Sequence, residues 1–516
     1  MPRWFNTAGF CNPQNHYMIP ALRRLPELRG IIDRQGYFVL HAPRQVGKTT
    51  SLLSLAAELT AEGRYAAVLV SMLVGAGSPG DTGAAELAIL DSWRKAAQIQ
   101  LPPELQPPPW PDAPPAGRIG AALGAWAKAS PRPLVVFLDE VDALRDSVLL
   151  SVLRQLQEGY RNRPDAFPSS LALIGLRDVS DYKIAEDGRE HLGTASPFNI
   201  MVRSITLRNF TRDEVAELYQ QHTDDTGQGF EAEAVDQVFA LTQGQPWIVN
   251  ALALEIVDTL VTDRAKAITV VDVNRAKEIL LSRRETHWRS LTARVREPRI
   301  KSILEPMLAG SELDDVPEDD RQFALDLGLI RHDTTGGLVM ANPMYREVIA
   351  RVLTSGPQDS MPQIKPIWLK PDGSLDRDRL LDSFLAFWRQ HAEPLLGTTP
   401  YHEVAPHLVL MAYLHRVANG GGTIEREYAV GRGRLDLCVR YRGEILAIEL
   451  KVWRDKRADP LGEGLEQIDE YLAGLGVNEG WLVIFDRRTG AAALAERTAV
   501  ERAQTAAGRD VVVIRG

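Results

Sequence analysis

The chain has 516 residues, 45% hydrophobic and 25% charged, which fits a soluble globular protein of roughly three or four domains. Its formal net charge of −9 argues against nucleic-acid binding by the surface as a whole and leaves a local basic patch as the route to it. Two cysteines far apart, Cys11 and Cys438, exclude a disulfide framework or a cysteine-based zinc cluster, and the longest apolar run, Ala66 to Val74, is too short to span a bilayer, so a cytosolic protein with no membrane partner is expected.

In chain order, Tyr37–Leu40, Ala66–Leu73, Leu134–Leu138 and Leu171–Leu176 are short unbroken apolar runs separated by helical stretches. Such runs predict strands buried on both faces of a parallel sheet. Residues 102–115 (PPELQPPPWPDAPP) carry eight prolines and predict an extended loop or insertion. From Thr211 the texture turns helical, opening on TRDE, where Thr211 and Glu214 form a capping box. A helix holding Phe323 to Leu329 runs into LIRHDTTGGLVMANP, a hairpin with a glycine turn, and helix followed by hairpin suggests a winged helix. The stretch SGPQDSMPQIKP (355–366) predicts a linker to a separate domain.

The chemistry starts directly after the first run. A P-loop needs glycine amides around phosphates, a lysine on their oxygens, a hydroxyl for Mg²⁺ and a helix N-terminus behind. Here the string is Ala42, Pro43, Arg44, Gln45, Val46, Gly47, Lys48 and Thr49, followed by Thr50, with Ala42 in place of the first glycine. That replacement costs little if Ala42 keeps a negative φ. The run Leu134–Leu138 ends in Asp139 and Glu140, two carboxylates at the C-terminal end of a buried strand, where α/β sheets bind ligands. This is Walker B geometry: Asp139 for the Mg²⁺ shell and Glu140 to polarise the attacking water.

On these motifs residues 1–355 resemble the P-loop ATPases of the AAA+/STAND group, close to the archaeal-type AAA-like ATPases. The resemblance implies ATP and Mg²⁺ as cofactors and assembly into a homo-oligomer on ATP binding. It implies a polar sensor at Arg177 in LIGLRD, a G-x-P lid turn at Gly244, Gln245 and Pro246, and a winged helix after the lid. It also implies an adenine-side segment at His16, Tyr17, Ile19 and Pro20, and makes Arg203 and Arg208 candidate arginine fingers.

Near the C-terminus, Leu435–Tyr441 and Glu444–Leu450 alternate like two strands joined by Arg442 and Gly443. Asp436 lies on the first, and Glu449 and Lys451 share one face of the second. Two carboxylates and a lysine that converge suit metal-assisted phosphodiester hydrolysis. From Arg426 to Arg457 nine basic residues (Arg426, Arg432, Arg434, Arg440, Arg442, Lys451, Arg454, Lys456, Arg457) face five acids, a local +4 inside the −9 chain, and a basic rim is what a nucleic-acid phosphate backbone requires. Alternation puts Cys438 in the core.

The D-x₁₂-E-x-K spacing resembles the PD-(D/E)xK nuclease superfamily over residues 395–516, with Leu435 where that family's proline stands. Gln467 and Tyr471 (QIDEY) are similar to the Q-x-x-x-Y motif of its RecB-like branch, and Glu403, in HEVAPHLVLMAYLHRV, is implied as a further metal acid. The expected fold is α/β throughout. A P-loop NTPase core spans 1–215, a helical lid 216–282, a winged helix 283–355, a linker and helix 356–394, and a restriction-endonuclease-like domain 395–516. The expected function is an ATPase controlling a Mg²⁺-dependent nuclease that acts on DNA; the alternatives are a STAND-like signalling or defence switch, or a DNA remodeller or loader whose C-terminal domain binds without cutting.

Overall fold

A computed structural model of the protein describes residues 3–144, 146–176, 185–186, 189–190, 200–283, 286–308, 316–333, 336–349, 352, 368–397, 409–411, 413–414, 422–430, 433–488 and 490–516. The chain forms two compact units, Met1–His287 with Glu318–Met344, and Trp288–Pro317 with Tyr345–Gly516.

The main sheet of the first unit is built from β1 (Tyr37–His41), β2 (Ala66–Ser71), β3 (Leu134–Asp139), β4 (Ser170–Gly175) and β5 (Met201–Thr206). All pair in parallel, in the order β2-β3-β4-β1-β5. The helices between them are α1 (Lys48–Ala61), α2 (Thr82–Gln100), α3 (Arg118–Ala129) and α4 (Asp146–Gly159). Tyr37 and Val39 pack into one core with α2, α3 and α4, whereas Phe38 and Leu40 pack into another with α1. Both faces of each strand are covered, which is why the apolar runs are unbroken rather than alternating. The second strand stops at Ser71, and Leu73–Gly77 is a 3₁₀ turn rather than strand. The proline-rich stretch is an irregular covering segment pinned by indoles: Trp110 Nε1 donates to the Leu90 carbonyl, and Trp126 Nε1 to the Leu105 carbonyl, both at 3.0 Å.

A helical region follows in α5 (Arg212–Thr226), α6 (Ala232–Thr242) and α7 (Pro246–Glu255). The capping box is made: the Glu214 amide donates to Thr211 Oγ1 at 3.2 Å, and the Thr211 amide to Glu214 Oε2 at 2.8 Å. The glycine hairpin is also present, as antiparallel β6 (Ile330–His332) and β7 (Leu338–Met340), after a helix at Glu318–Asp326.

The second unit contains α8 (Arg377–Gly397), β8 (Gly422–Val430), β9 (Gly433–Tyr441), β10 (Glu444–Trp453), α9 (Leu461–Leu475), β11 (Glu479–Asp486), β12 (Ala499–Gln504) and β13 (Asp510–Arg515). Its sheet runs β8-β9-β10-β11-β13-β12 and is mixed: β8, β9 and β10 form an antiparallel meander, and β11 joins β10 in parallel. Leu437, Val439, Leu446 and Ile448 face α8, while Cys438 and Ala447 face α9. Cys438 is therefore core, as alternation predicts.

Candidate functional site

The loop after β1 ends at Gly47, whose φ of 90° lies in the left-handed region and turns the chain into α1. Gln45 also takes a positive φ, of 60°, whereas Ala42 does not, so the alanine in place of the first glycine carries no strain there. Lys48 begins the helix, and its Nζ donates to the carbonyls of Ala42 at 2.5 Å and Pro43 at 2.8 Å. Burial pushes its pKa down to about 8, against the opposing pull of Asp139 and Asp142. An ammonium folded onto its own loop and desolvated is poised to exchange two neutral acceptors for anionic ones.

Parallel register brings the second half of this site to the same sheet edge. Thr49 Oγ1 donates to Asp139 Oδ2 at 2.7 Å, and the Glu140 amide donates to Asp139 Oδ1 at 2.9 Å. Burial raises the Asp139 pKa, and the Thr49 bond opposes it. Asp139 is buried while Glu140 is exposed, and Glu140 Oε2 accepts from Ser71 Oγ at 2.7 Å. Glu140 adopts a left-handed φ of 59°, a conformation that costs a non-glycine residue about 1–3 kcal/mol and often marks a functional position. Thr50 Oγ1 accepts the Cys11 amide at 3.1 Å, tying the N-terminal segment to the loop helix.

From the helical region, Gln245 caps α7 by accepting the Ile248 amide at 2.7 Å and donates to the Gln45 carbonyl at 3.4 Å, so the turn before Pro246 touches the loop. Tyr17 is buried against Phe5 and His222, its hydroxyl 3.3 Å from His222 Nδ1. That ring is occupied by packing on the helical region. Arg208 is held by Glu214 in two bonds, of 2.6 and 2.7 Å, whereas Arg203 is exposed on β5. Arg177 lies outside the described residues. Sequence reasoning missed Ser71 and Arg24; the latter's Nη1 donates to the Val46 carbonyl at 2.9 Å. No local motif marks either.

In the second unit, the register Leu437↔Ile448 and Cys438↔Ala447 sets Asp436 opposite Glu449 across β9 and β10. Asp436 Oδ2 accepts the Leu450 amide at 2.8 Å. Glu449 is 3% exposed; its Oε1 lies 3.2 Å from Lys451 Nζ, and its Oε2 is buried without a hydrogen-bond partner. Burial, and then Asp436, push the Glu449 pKa up to about 8. Lys451 also donates to Gln467 Oε1 and lies 3.3 Å from Glu463. Burial works against its charge, but Glu449 and Glu463 outweigh that and raise its pKa. The α9 face facing the strands thus carries Glu463, Gln467 and Tyr471 at successive helical turns. Gln467 reaches the lysine, and Tyr471 is buried in the core beside it. Glu463 went unnoticed in the sequence, although its i,i+4 spacing before Gln467 is the signal that finds it.

Glu403 lies outside the described residues, as do Arg432 and the side chains of Arg426 and Arg434. Among the described residues no group of three His, Cys, Asp or Glu is arranged to hold a metal. Asp436 and Glu449 supply two carboxylates, and the partnerless buried oxygen of Glu449 fits a cation. Among the described residues of the rim, Lys456 and Arg457 are exposed and Arg442 donates to the Gly373 carbonyl at 3.3 Å.

No family model matches the chain, and no curated protein matches it. Among solved structures the chain is similar to a Walker-type ATPase of Pyrococcus abyssi, at 14% identity over 67% of this chain and 99% of that one, with a TM-score of 0.47. It is similar to the Thermotoga maritima RuvB Holliday junction branch migration motor, at 16% identity over 62% and 89%, TM-score 0.34. It is also similar to Cdc6p from Pyrobaculum aerophilum, at 13% identity over 64% and 92%, TM-score 0.33. What identifies the first unit is its own topology: a five-stranded parallel sheet with the glycine-lysine-threonine loop after β1 and the paired acids at the C-terminal end of β3 has the α/β fold of a P-loop NTPase.

Proposed function

We propose that the protein is a Mg²⁺-dependent ATPase whose first unit binds and hydrolyses ATP and controls a metal-dependent nuclease site in the second unit, with DNA as substrate. The observation that carries the first half is the 2.7 Å bond from Thr49 to Asp139. A helix-start hydroxyl and a buried strand-end carboxylate meet beside the lysine, as a Mg²⁺–phosphate site needs. Thr49 and Asp139 would hold the metal, which when bound neutralises phosphate charge. Lys48 would take phosphate oxygens in place of the Ala42 and Pro43 carbonyls, and Glu140, held by Ser71, would orient water. Arg177 stays a proposed sensor in this reading.

The nuclease half rests on two carboxylates set across the strand pair, Asp436 opposite a buried Glu449 whose Oε2 has no hydrogen-bond partner. Asp436 and Glu449, with Glu403 as a further proposed acid, would hold Mg²⁺, which when bound lowers the pKa of attacking water and polarises the phosphate. Lys451, kept in place by Gln467, would stabilise developing charge, and Tyr471 would brace the helix that carries Gln467. The domain division proposed from sequence, the homo-oligomer formed on ATP binding and a cytosolic location belong to the same reading.

The test incubates the full chain with Mg²⁺ and plasmid, linear or single-stranded DNA, with and without ATP, beside Lys451→Ala and Glu140→Gln. Cleavage abolished by Lys451→Ala and altered by Glu140→Gln supports an ATP-controlled nuclease. ATP turnover without cleavage of any DNA refutes the nuclease half and leaves the second unit as a binding module in a switch or remodeller.

A further inference from the structure

Arg24 ends the short helical turn Ala21–Arg24, and it is 6% exposed. Its Nη1 donates to the Val46 carbonyl at 2.9 Å, and Nε and Nη2 both donate to the Arg208 carbonyl, Nε at 3.1 Å. The guanidinium lies 4.9 Å from the Phe210 ring centroid, and a Cβ built on Gly47 would come within 3.4 Å of Nη1. Every one of these hydrogen-bond acceptors is a backbone carbonyl. Glu214, the acid whose field acts on Arg24, is already held by Arg208 in two bonds. Arg24, Arg208 and Glu214 therefore sum to one positive charge; Arg208 reaches solvent while Arg24 is buried and bonds directly to the loop that carries Lys48. Burying a cation without an acid of its own is costly, and an anion arriving in the loop relieves that cost.

The geometry also says what the guanidinium does to the loop. A trans peptide is planar, with its C=O and N–H on opposite sides. Turning the Val46 carbonyl toward Arg24 turns the Gly47 amide the other way, and turning the Gln45 carbonyl toward Gln245 does the same to the Val46 amide. Two consecutive amides are thus oriented by side chains from outside the loop. Both of those side chains are tied to the start of the helical region. Arg24 holds Arg208, and the Phe210 amide donates to the Gly244 carbonyl at 2.9 Å, one residue before Gln245.

We propose that Arg24 is a positioning residue that sets the Val46–Gly47 peptide for phosphate binding and couples occupancy of the 42–49 loop to the 208–226 segment. Gln245 is the second anchor of the same coupling. This inference rests on the nucleotide-binding reading above, and its test separates the two.

Wild type, Arg24→Gln and Arg24→Lys are compared as full chains by calorimetric titration with MgATP and by hydrogen exchange at saturating MgATP. In wild type, ATP slows exchange both in the 42–49 loop and at 208–226. In Arg24→Gln, Kd rises about tenfold, which is about 1.4 kcal/mol, and saturating ATP protects the loop but no longer 208–226. Arg24→Lys keeps the charge but has no planar fork to span two carbonyls, so it keeps Kd within about threefold and still loses the protection at 208–226. A purely structural role lowers the melting temperature without ATP and leaves the transmitted protection intact once ATP saturates, and that result overturns the proposal. Wild-type Kd with wild-type protection at 208–226 in either variant overturns it too; should Arg24→Gln fail to fold, Arg24→Lys decides alone. Absence of any ATP-dependent protection of the loop in wild type removes the nucleotide reading and this inference together.

Discussion

Replacing Gly244 by alanine tests whether the turn before α7 is built as tightly as it looks. Gly244 has a φ of +70°, and a Cβ there would lie 1.9 Å from the Phe210 carbonyl oxygen and 2.8 Å from its carbon. The obstacle is backbone, so no rotamer change relieves it, and the chain must open by about 1 Å before contact is tolerable. The left-handed backbone costs an alanine about 1 kcal/mol. Opening the turn also loses the 2.9 Å bond from the Phe210 amide to the Gly244 carbonyl, worth about 1 kcal/mol, and strains the packing for about 1–2 kcal/mol more. Gly244→Ala should therefore cost about 3–4 kcal/mol. Gly63, with a φ of +82° and nothing within 4 Å of an added methyl, is the control, and Gly63→Ala should cost only about 1 kcal/mol. Native-state hydrogen exchange at the α7 amides reads the first unit without unfolding of the second mixed in. Equal losses in the two variants would refute the steric reasoning. Because Gln245 follows directly and bonds the Gln45 carbonyl, Gly244→Ala should also weaken ATP binding, which Gly63→Ala should leave unchanged.

Lys48→Ala removes the ammonium and should weaken ATP binding by about 10- to 150-fold, the span of a charge-assisted bond of about 1.5–3 kcal/mol; a change below threefold in a titration would count against the loop as a phosphate site. Glu140→Gln should keep ATP affinity and lower hydrolysis by about 10²–10⁴-fold, measured as single-turnover phosphate release, and unchanged turnover would remove Glu140 from the chemistry. The Glu449 carboxyl has a folded pKa raised to about 8 from an unfolded value of about 4.3. The folded unit therefore holds a proton that the unfolded chain releases, and stability contributed by the protonated form is lost as pH rises from about 4.3 to about 8. Exchange protection of the β10 amides should fall between pH 5 and 8 in wild type relative to Glu449→Gln, and parallel profiles would refute the assignment.

Much of this molecule was legible before folding because its signals are local. Unbroken runs announce strands covered on both faces, and the Thr211–Glu214 pair announces a helix start. The Gly47-Lys48-Thr49 string and the twelve residues that separate Asp436 from Glu449 are likewise local. Alternation alone assigned Cys438 to the core. The end of β2 was misjudged because Leu73 and Val74 are as apolar as the strand they follow, yet both are exposed on a 3₁₀ turn.

The amino-acid order by itself determined which residue types stand next to one another on a strand, turn or helix face, since the 2.0 and 3.6 periods need only the backbone. That suffices for Lys48 beside Thr49, for Glu449 on the same side as Lys451, and for Gln467 one turn from Tyr471. The tertiary structure alone decided what crosses long separations. It set Asp139 against Thr49, 90 residues away, Gln467 on Lys451, and Arg24 between the carbonyls of Val46 and Arg208, the second 184 residues off. Those contacts follow from strand order and helix docking, which depend on the sum of many weak apolar contacts over the whole unit, and a carbonyl acceptor leaves no mark on the identity of the residue that bears it.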